Sequence, residues 1–356
     1  MISTHDISGP YAHQKTSIRR TMALVMVALL PATLFDLWVF GWPAINLLVL
    51  TLAASVAAEA GCLSLAGKRL PLFLGDGSVV LTGWLLAMSL PPWAPWWIAV
   101  LGGVVAVVLG KHVFGGLGQN VFNPAMVGRV ALLISFPLPM TMYVAPRPLF
   151  GAGSPGFVEG LSITFGGWDY DALSAASTLG HVKTELTRGV ALDQAMGGTD
   201  LMALVMGTVP GSMGETSAVL LLLGGLFLIA RRVISWHIPV SMLGALFALA
   251  TLMHWVDPAR FPGGFYHLVT GAAVLGAFFI ATDLVTSPVT PPGQLVYGAG
   301  IGILTYVIRT WAGFPEGIAF AVLLMNAMTP LIDRWVRPRV YGRTLRGEPL
   351  QPRRKA

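Results

Sequence analysis

The sequence predicts an all-α polytopic membrane protein, with about ten transmembrane helices arranged as two inverted five-helix repeats and with one extracytoplasmic loop region. The first observation is composition: of 356 residues, 55% are hydrophobic and 11% are charged, against about 25% charged in soluble domains. The second is a series of apolar runs, each close to the roughly 20 helical residues that cross about 30 Å of hydrocarbon. The third is an odd number of such runs on each side of a long polar stretch. Together these observations exclude a soluble globular protein.

Ten apolar runs can be placed along the chain, and their lengths suit helices rather than the short alternating strands of a barrel. They lie at 22–40, 44–65, 73–90, 95–110, 122–140, 214–230, 235–255, 266–284, 294–310 and 317–334. A polar lead precedes the first run, and no small-residue cleavage pattern precedes the second. We therefore expect the first run to remain as a membrane anchor rather than to be removed as a signal peptide.

The apolar runs divide the chain into five parts. We expect an N-terminal cytoplasmic segment at 1–21, a first five-span repeat at 22–140, a polar loop at 141–213, a second five-span repeat at 214–336 and a basic cytoplasmic tail at 337–356. An odd number of spans inserts the second half upside down relative to the first. Inverted repeats of this kind place binding sites near the bilayer midplane.

Matching motifs support the division into repeats. A proline-rich break ends the third run of each half, at 89–95 and at 286–292. A glycine-containing turn follows the next run of each half, at 114–124 and at 311–317, and each turn leads into a helix that contains Asn and Pro. Broken helices at equivalent positions are typical of inverted repeats.

The positions of Lys and Arg give the expected orientation, because cytoplasmic loops contain the excess of these residues. With ten spans, the basic clusters all fall on one side: Lys15, Arg19 and Arg20; Lys68 and Arg69; Lys111 with His112; Arg231 and Arg232; and Arg334, Arg337, Arg339, Arg343 and Arg346. Both termini are then cytoplasmic, and 141–213 lies in the periplasm of a Gram-negative bacterium. This topology accounts for the net charge of +6, so membrane lipid is an expected partner and no nucleic-acid partner is expected.

The first glycine-containing turn holds a dense group of polar candidates: Gly115, Gly116, Asn120 and Asn123. A chain that breaks here and restarts as a helix would direct backbone N–H groups at an anion or a ring carbonyl. The competing interpretation is that the glycines only allow close helix packing. Four further polar residues favour a binding pocket, because polar groups at membrane depth need partners or water. These are Lys111, His112, Gln119 and Arg129.

Four carboxylates lie in the apolar runs or at their ends, where each costs about 2.5–3.5 kcal/mol on insertion scales. Glu59 and Asp283 are the more interior pair and are candidates for an ion or proton pathway. Asp36 and Asp76 lie near run ends, where interfacial anchoring and function are equally open. The sequence does not identify the ion.

No catalytic residue and no metal site are predicted. The single cysteine, Cys62, excludes a disulfide or a cysteine-ligated cluster built from this chain alone. His237 and His267 have no matched ligand set, so we expect satisfied structural histidines at both positions.

The polar loop contains an acid-led hydroxyl run at 171–178, with Asp171, Ser174, Ser177 and Thr178. Asp followed by Ser and small residues is common as a turn or helix cap, and composition alone favours that interpretation. Ser and Thr on an accessible loop can also form a phosphoester with an activated nucleotide phosphate, when an enzyme recognises the surrounding peptide. The run is therefore either a turn or a site of attachment.

Two segments of the chain resemble one known family of membrane proteins. The run at 114–125, followed by Arg129, and the run at 282–288 are similar to segments of the RnfD and NqrB family. The resemblance extends over nearly the whole chain. Chain length and the short N-terminal segment favour the RnfD branch.

The hydroxyl run also resembles that family's flavin-attachment pattern, Asp-x-x-(Ser/Thr)-x-Ala-Thr, in which a flavin transferase joins FMN through its phosphate to the last hydroxyl. Here Asp171 and Ser174 occupy the first two conserved places, and Ser177 stands where the pattern has Thr. The resemblance implies a covalent FMN on Ser177, with the adjacent Thr178 as the alternative acceptor.

The resemblance further implies a membrane subunit of an Rnf-type electron-transport complex in the bacterial inner membrane. Such a subunit carries covalent FMN on 141–213, passes electrons between ferredoxin and NAD via partner subunits, and is coupled to Na⁺ or H⁺ translocation. The implied partners are the other Rnf complex subunits, RnfA, RnfB, RnfC, RnfE and RnfG, and a flavin transferase. Non-covalent riboflavin is also associated with this part of related complexes, and the residues around Gly115 and Asn123 are expected to line an inner flavin or ion pocket.

The chain is not expected to be a complete enzyme by itself. It has no dinucleotide fingerprint and no cluster cysteines, so ferredoxin and nicotinamide chemistry is expected on other subunits. The rival prediction is an inverted-repeat permease or channel without a redox cofactor, in which 171–178 is a turn. A scaffold subunit that binds no flavin is the third possibility.

Overall fold

The computed structural model describes residues 17–151, 153–167, 174–197, 200–215 and 217–338, and these are predominantly helical. The helices of the first part are α1 (Ile18–Phe40), α2 (Trp42–Leu65), α3 (Leu70–Leu74), α4 (Ser78–Ser89), α5 (Trp96–Val107, continued as a π-helix over Val108–His112), α6 (Pro124–Ser135) and α7 (Pro137–Thr141). Next come β1 (Tyr143–Val144), α8 (Phe157–Gly166), β2 (Ser174–Ala175), α9 (Thr178–Thr187), α10 (Leu192–Ala195), α11 (Leu201–Met206) and a 3₁₀ turn (Met213–Glu215). The remaining helices are α12 (Ala218–Ala230), α13 (His237–Val256), α14 (Gly264–Val269), α15 (Ala273–Leu275, continued as a π-helix over Gly276–Ile280), α16 (Pro291–Trp311) and α17 (Ile318–Trp335).

Among the described residues, four helices are long and apolar enough to cross a membrane: α1, α2, α13 and α17. Shorter apolar helices accompany them, among them α4, α6 and α12. At 1.5 Å per residue, a helix of twelve residues such as α6 covers about 18 Å, which is less than the roughly 30 Å of hydrocarbon. Helix occurs within each of the ten predicted runs, whereas the number of complete crossings stays a prediction.

The first two long helices form a hairpin whose ends are set by local residues. The Ser17 hydroxyl accepts a hydrogen bond from the Arg20 N–H at 3.2 Å and so caps the start of α1. Gly41, with φ of +73°, ends α1 and precedes α2, a conformation that costs glycine little. Pro43 lies in the first turn of α2, where its missing N–H removes no helical hydrogen bond.

Helices pack in the same sequence of neighbours on each side of the polar loop. In the first part, α2 contacts α4 and α5, and α5 contacts α6. In the second part, α13 contacts α14 and α16, and α16 contacts α17. Contacts of α1 with α12 and of α6 with α17 join the two parts.

Small residues allow the closest of these helix contacts, between α13 and α16. A Cβ atom added to Gly298 would lie 2.7 Å from the Ile238 carbonyl oxygen. One added to Gly302 would lie 3.0 Å from the Leu246 nitrogen. The glycines are four residues apart on one face of α16, the spacing at which small residues let two membrane helices approach.

Two broken helices meet halfway along α17. The turn after α5 ends at Asn123, which caps α6 by accepting the Met126 N–H at 3.3 Å. The backbone N–H of Asn123 donates to Oδ1 of Asn326 at 3.0 Å, and Nδ2 of Asn123 lies 3.4 Å from the Ile280 carbonyl oxygen. Asn326 occupies the middle of α17, so the turn before α6 reaches the interior of the bundle.

Asn326 also binds the second broken segment, between α15 and α16. Its Nδ2 atom donates to the Tyr297 hydroxyl at 2.6 Å and lies 3.4 Å from the Thr286 carbonyl oxygen. Asn326 is 1% exposed. One side chain therefore holds both broken segments together.

The polar loop region packs on one end of the bundle, here named the loop end. Backbone N–H groups of Arg147 and Leu149 donate to carbonyl oxygens at the end of α1, at 2.9 and 2.6 Å. β1 and β2 pair antiparallel, with Val144 opposite Ser174. The Leu192 N–H donates to the Ala259 carbonyl, in the connection after α13, at 3.1 Å. The loop region is thus anchored to both parts of the bundle.

We predict that Asn326→Ala lowers the free energy of unfolding by about 1–3 kcal/mol, because it leaves the buried Asn123 N–H without an acceptor. The measurement is denaturant titration of the purified protein in mixed micelles. Gln119→Ala, at an exposed position in the same turn, is the matched control and should change the value little. Equal losses in the two variants would contradict the assigned role of Asn326.

Candidate functional site

Ser177 lies at the start of the helix that follows the hydroxyl run. It is the N-cap residue of α9, and its Oγ accepts a hydrogen bond from the Gly180 N–H at 3.2 Å. The residue is 5% exposed. Its hydroxyl therefore faces the first-turn N–H groups, the positive end of the helix.

The other residues of the attachment pattern surround this cap. Thr178 is the first residue of α9, and its carbonyl accepts a hydrogen bond from the Tyr266 hydroxyl at 3.3 Å. The backbone of Ser174 forms β2. Asp171 lies outside the described residues. The structure thus places the two candidate acceptors side by side, with only Ser177 in the capping position.

Lys183 fixes α9 to the end of α16. Its ammonium group donates to the Phe314 carbonyl at 3.0 Å, contacts the Ala312 carbonyl and lies 3.4 Å from the Ile308 carbonyl. These carbonyls belong to the end of α16 and the residues just after it, where a helix carries partial negative charge. Burial lowers the pKa of Lys183. The cation both satisfies the helix end and holds the attachment helix in place.

A buried ion pair lies beneath α9. Arg309 contacts Glu316, with Nη2 and Oε2 2.9 Å apart, and donates to the His267 carbonyl at 2.7 Å and the Thr270 carbonyl at 3.1 Å. The Arg309 side chain is 1% exposed. Glu316 Oε1 accepts the Gly317 N–H at 2.8 Å. Because each charged group has several partners, this pair forms a satisfied base for the loop end.

A third polar group of the loop end lies between the bundle and the 3₁₀ turn. Tyr143 is 2% exposed and interacts electrostatically with Arg129. Burial raises the pKa of the Tyr143 phenol to about 12, and the charge of Glu215 acts in the same direction while Arg129 opposes it. The hydroxyl of Ser212 donates to Glu215 at 2.8 Å. Arg129, one of the sequence candidates, therefore belongs to the loop end.

A cavity of about 520 Å³ opens between α9 and the ends of α14 and α16. Leu179, Val182 and Lys183 line it from α9, and Tyr266 and His267 line it from α14. The volume lies within the roughly 300–1,000 Å³ of small-molecule sites. This is a second candidate feature of the loop end, beside the attachment hydroxyl.

The predicted ion-pathway residue Glu59 has two basic partners. Its Oε1 lies 2.8 Å from Lys111 Nζ, and its Oε2 lies 2.9 Å from His112 Nε2. Lys111 also donates to the Ser78 hydroxyl at 2.9 Å. Consecutive residues of an α-helix point about 100° apart. The π-helical turn over Val108–His112 lets both bases reach one carboxylate, and such turns occur often at functional sites.

A smaller cavity adjoins this ion pair at the opposite end of the bundle from the loop region. Lys111, Asn120, Asn123 and Asp283 are among its lining residues, and its volume is about 100 Å³. That is well below the roughly 300 Å³ at which small-molecule pockets begin. The cavity suits water or a small ion rather than a flavin ring.

Gly115 and Gly116 lie in the turn before this cavity and are not among its lining residues. Their φ angles are +116° and +106°, so the turn requires glycine at both positions. No heavy atom lies within 4 Å of a Cβ added to Gly116 or Gly118. Close helix packing therefore does not explain the glycines at 116 and 118.

The other three carboxylates singled out in the sequence have different surroundings. Asp283 accepts the Val285 N–H and the Thr286 hydroxyl, each at 3.2 Å. Asp36 is fully buried in α1, and within the described part of the chain neither of its oxygens has a hydrogen-bond partner. The carboxylate of Asp76 accepts the Ser78 N–H at 2.7 Å, just before α4, whose N-cap residue is Gly77. This hydrogen bond stabilises the start of α4.

The sequence candidates therefore separate into two places. Ser174, Ser177 and Thr178 lie at the loop end, whereas Glu59, Asn120, Asn123 and Asp283 lie around or beside the smaller cavity. Sequence reasoning missed Lys183 and Arg309 as residues of the loop end. It expected His267 to be satisfied, yet among the described residues neither ring nitrogen has a hydrogen-bond partner.

Comparison with known proteins relates this chain to one family. A family model described as the NQR2, RnfD, RnfE family matches residues 6–342. A protein of Halorhodospira halophila, named as a subunit of an ion-translocating oxidoreductase complex, is 53% identical over 351 residues, which cover 98% of each chain. Proteins of the same name from Stutzerimonas stutzeri and Rhodobacter capsulatus are 55% and 49% identical, covering 94% and 85% of this chain and 95% and 84% of theirs.

We predict that Lys111→Met lowers the free energy of unfolding by about 3–5 kcal/mol, because it leaves the Glu59 carboxylate buried without its cationic partner. The double variant Glu59→Gln with Lys111→Met should recover most of that loss. Denaturant titration in mixed micelles measures both. The control is Glu185→Gln, which breaks the exposed pair with Arg188 and should cost less than about 1 kcal/mol. A double variant as unstable as Lys111→Met would contradict the pairing.

We predict that Lys183→Met loosens α9, because charge-assisted hydrogen bonds of about 1.5–3 kcal/mol each are lost. Cleavage after Glu185 by a glutamate-specific protease should become about tenfold faster, since local opening limits access. Lys68→Met, at the far end of the bundle, is the control and should leave the rate unchanged. An unchanged rate in Lys183→Met would show that other contacts hold the helix.

Proposed function

Because the chain belongs to the NQR2, RnfD, RnfE family, we propose that it is the RnfD component of an Rnf-type ion-translocating oxidoreductase complex. Its resemblance to this family was visible in the sequence, and three relatives that are matched over 84–98% of their own length are named as subunits of an ion-translocating oxidoreductase complex. In this proposal it passes electrons between ferredoxin and NAD via partner subunits, and electron transfer is coupled to Na⁺ or H⁺ movement.

Ser177 is the proposed attachment point of a covalent FMN. The observation that carries this proposal is its position as the N-cap of the ten-residue helix α9, with Oγ toward the Gly180 N–H. A phosphoester on this oxygen brings negative charge to a helix N-terminus, which stabilises anions by its dipole and free N–H groups. The residues at this position therefore fit a phosphate-linked flavin.

The position of Thr178 supports Ser177 as the acceptor. Thr178 is the first residue within α9, one place beyond the cap, and its carbonyl is bound by Tyr266. The capping position belongs to Ser177, in agreement with the place of the acceptor in the attachment pattern. Since Ser177 is 5% exposed, a flavin transferase must act before α9 docks or when its first turn opens.

The attachment step forms one bond and breaks one. The Ser177 Oγ–phosphorus bond forms as the bond between that phosphorus and the activating nucleotide breaks, and the nucleotide leaves with the bonding electrons. The hydroxyl proton passes to a base of the transferase. Once bound, FMN supplies a ring that accepts and releases electrons, while the protein sets its environment.

The chain's own residues hold this cofactor at the loop end. Lys183 fixes the attachment helix to the end of α16, and the Arg309–Glu316 pair supports it from below. The distribution of Lys and Arg favours a periplasmic loop end, with both termini on the cytoplasmic side of the inner membrane. The partner subunits RnfA, RnfB, RnfC, RnfE and RnfG would supply the ferredoxin and nicotinamide sites, since this sequence has no dinucleotide fingerprint and no cluster cysteines.

The two groups of helices are proposed to be inverted repeats. This proposal is supported by the order in which the helices contact one another, which is the same in both groups. In that order α2, α4, α5 and α6 correspond to α13, α14, α16 and α17. Asn123 and Asn326 link the two groups near the middle of α17. Such a junction is where inverted-repeat membrane proteins place ion sites.

The smaller cavity is the proposed ion or proton pathway. Asp283 and Lys111 line the cavity, and Glu59 forms an ion pair with Lys111. Its volume of about 100 Å³ admits a few water molecules, which a polar cavity of this size can hold. In this proposal riboflavin, if associated with the subunit, binds elsewhere than in the smaller cavity.

We predict that Ser177→Ala abolishes covalent flavin and that Thr178→Ala retains it, because only the first removes the capping hydroxyl. The measurement is ultraviolet fluorescence of the subunit after denaturing gel electrophoresis, from cells that also express a flavin transferase. Ser177→Thr should remain fluorescent, since threonine offers the same hydroxyl. Loss in Thr178→Ala alone would move the acceptor by one residue. If the wild-type band is not fluorescent while a known protein substrate of the transferase is, the result would favour a permease without a redox cofactor.

A further inference from the structure

We propose that the 520 Å³ cavity at the loop end binds the isoalloxazine ring of a flavin, with Trp311 and Phe261 against the ring and His267 bonded to its polar edge. This inference rests on the proposed function for its tethered ligand, the FMN on Ser177. The cavity is named here the ring pocket. The expected ligand is a planar aromatic ring with hydrogen-bonding groups along its edge.

The ring pocket begins within one helical turn of the proposed attachment oxygen. Leu179, two residues after Ser177, lines it. A Cβ atom added to Gly180 would lie 3.8 Å from Cβ of Pro315, another lining residue. In this proposal the phosphate on Ser177 and the five-carbon ribityl chain of FMN lead along the first turn of α9 into the pocket.

The walls of the ring pocket are aromatic and aliphatic. Phe261 and Trp311 line it with their ring centroids 6.4 Å apart, and Trp311 is 55% exposed. Leu179 and Val182 are buried beside them. The two ring planes are tilted by 59°. Aromatic side chains contribute much contact area and favour stacked or edge-on geometry, so one of them can stack on a large aromatic ring while the other meets its edge.

His267 supplies an unsatisfied polar group. The residue is 4% exposed and lines the ring pocket, and among the described residues neither of its ring nitrogens has a hydrogen-bond partner. Edge-on contacts with Tyr266 and Tyr306, at 5.5 and 5.2 Å, surround the imidazole. Leaving a buried polar group unpaired costs about 1–3 kcal/mol, so a ligand with donors and acceptors on its edge stabilises this arrangement.

The buried cations near the ring pocket already have partners within the protein, and this disfavours an anionic ligand. Lys183 binds backbone carbonyls and Arg309 is paired with Glu316, whereas Arg260 is exposed at the entrance. A free anion would find no buried cation with open donors in the described part of the pocket. A neutral ring with an edge of N–H and C=O groups fits this lining better.

The test is native flavin fluorescence of the solubilised, flavinylated subunit, because an indole in contact with a flavin ring quenches its emission. We expect Trp311→Leu to raise the native emission roughly threefold, since one aromatic wall of the pocket is removed, and to leave the fluorescent band of the denatured subunit unchanged. Trp255→Leu, an exposed tryptophan at the end of α13, is the matched control and should change neither. His267→Gln should shift the native absorption band of the flavin, whereas a purely packing role predicts no shift.

The outcomes separate the inference from the proposed function. A fluorescent denatured band with native emission insensitive to Trp311→Leu would overturn the ring pocket and leave the attachment intact. If no band forms, titration of the same protein with riboflavin decides. If riboflavin binds, and its fluorescence is quenched in the wild type but not in Trp311→Leu, the pocket is assigned to a free flavin. If riboflavin does not bind in this way, the inference is overturned.

Discussion

The architecture depends on how polar groups inside a membrane bundle find partners, since lipid offers none. Where α5 and α15 break, backbone groups that a continuous helix would satisfy become exposed within the bundle. Asn326 binds both breaks: it accepts the Asn123 N–H and donates to Tyr297, with the Thr286 carbonyl 3.4 Å away. Without such a side chain the breaks would leave N–H and C=O groups unsatisfied inside the bundle. Breaks in the helices at these positions would then be unfavourable. The residue therefore stabilises the junction of the two groups of helices.

This junction also separates two kinds of chemistry. On one side of it, Glu59 and Lys111 pair next to a cavity that suits water or a small ion. At the loop end, α9 is held by Lys183 above the Arg309–Glu316 pair. The proposed flavin at one end and the proposed ion path at the other would require a connection between them. The segments that meet at Asn326 contact both groups of helices. Redox-dependent movement of those segments is the coupling that this arrangement allows.

Much of the fold could be predicted from the sequence because the bilayer imposes a length on each apolar run. Helix occurs in every predicted run, and the proline and glycine breaks fall where helices end or turn. Pairings between distant residues could not be predicted. Asn123 and Asn326 lie 203 positions apart, and nothing in either local pattern indicates the other. The same holds for Lys183, whose carbonyl partners at the end of α16 become visible only when α9 is placed on it. Within the site, local signals were the informative ones, because a Ser that follows small residues and precedes a helical pattern is a recognisable N-cap. His267 is the opposite case, since a lone histidine in an apolar run gives no sign of whether its nitrogens are satisfied.

The central claim is that a phosphate-linked flavin on Ser177 makes this chain a redox subunit. Tandem mass spectrometry of the proteolytic peptide that spans 171–183, taken from the subunit purified from native membranes, tests it most directly. We expect a peptide heavier by FMN less one water, with fragment ions that assign the addition to Ser177. An unmodified peptide as the sole species, in membranes where another protein carries its covalent flavin, would contradict this claim.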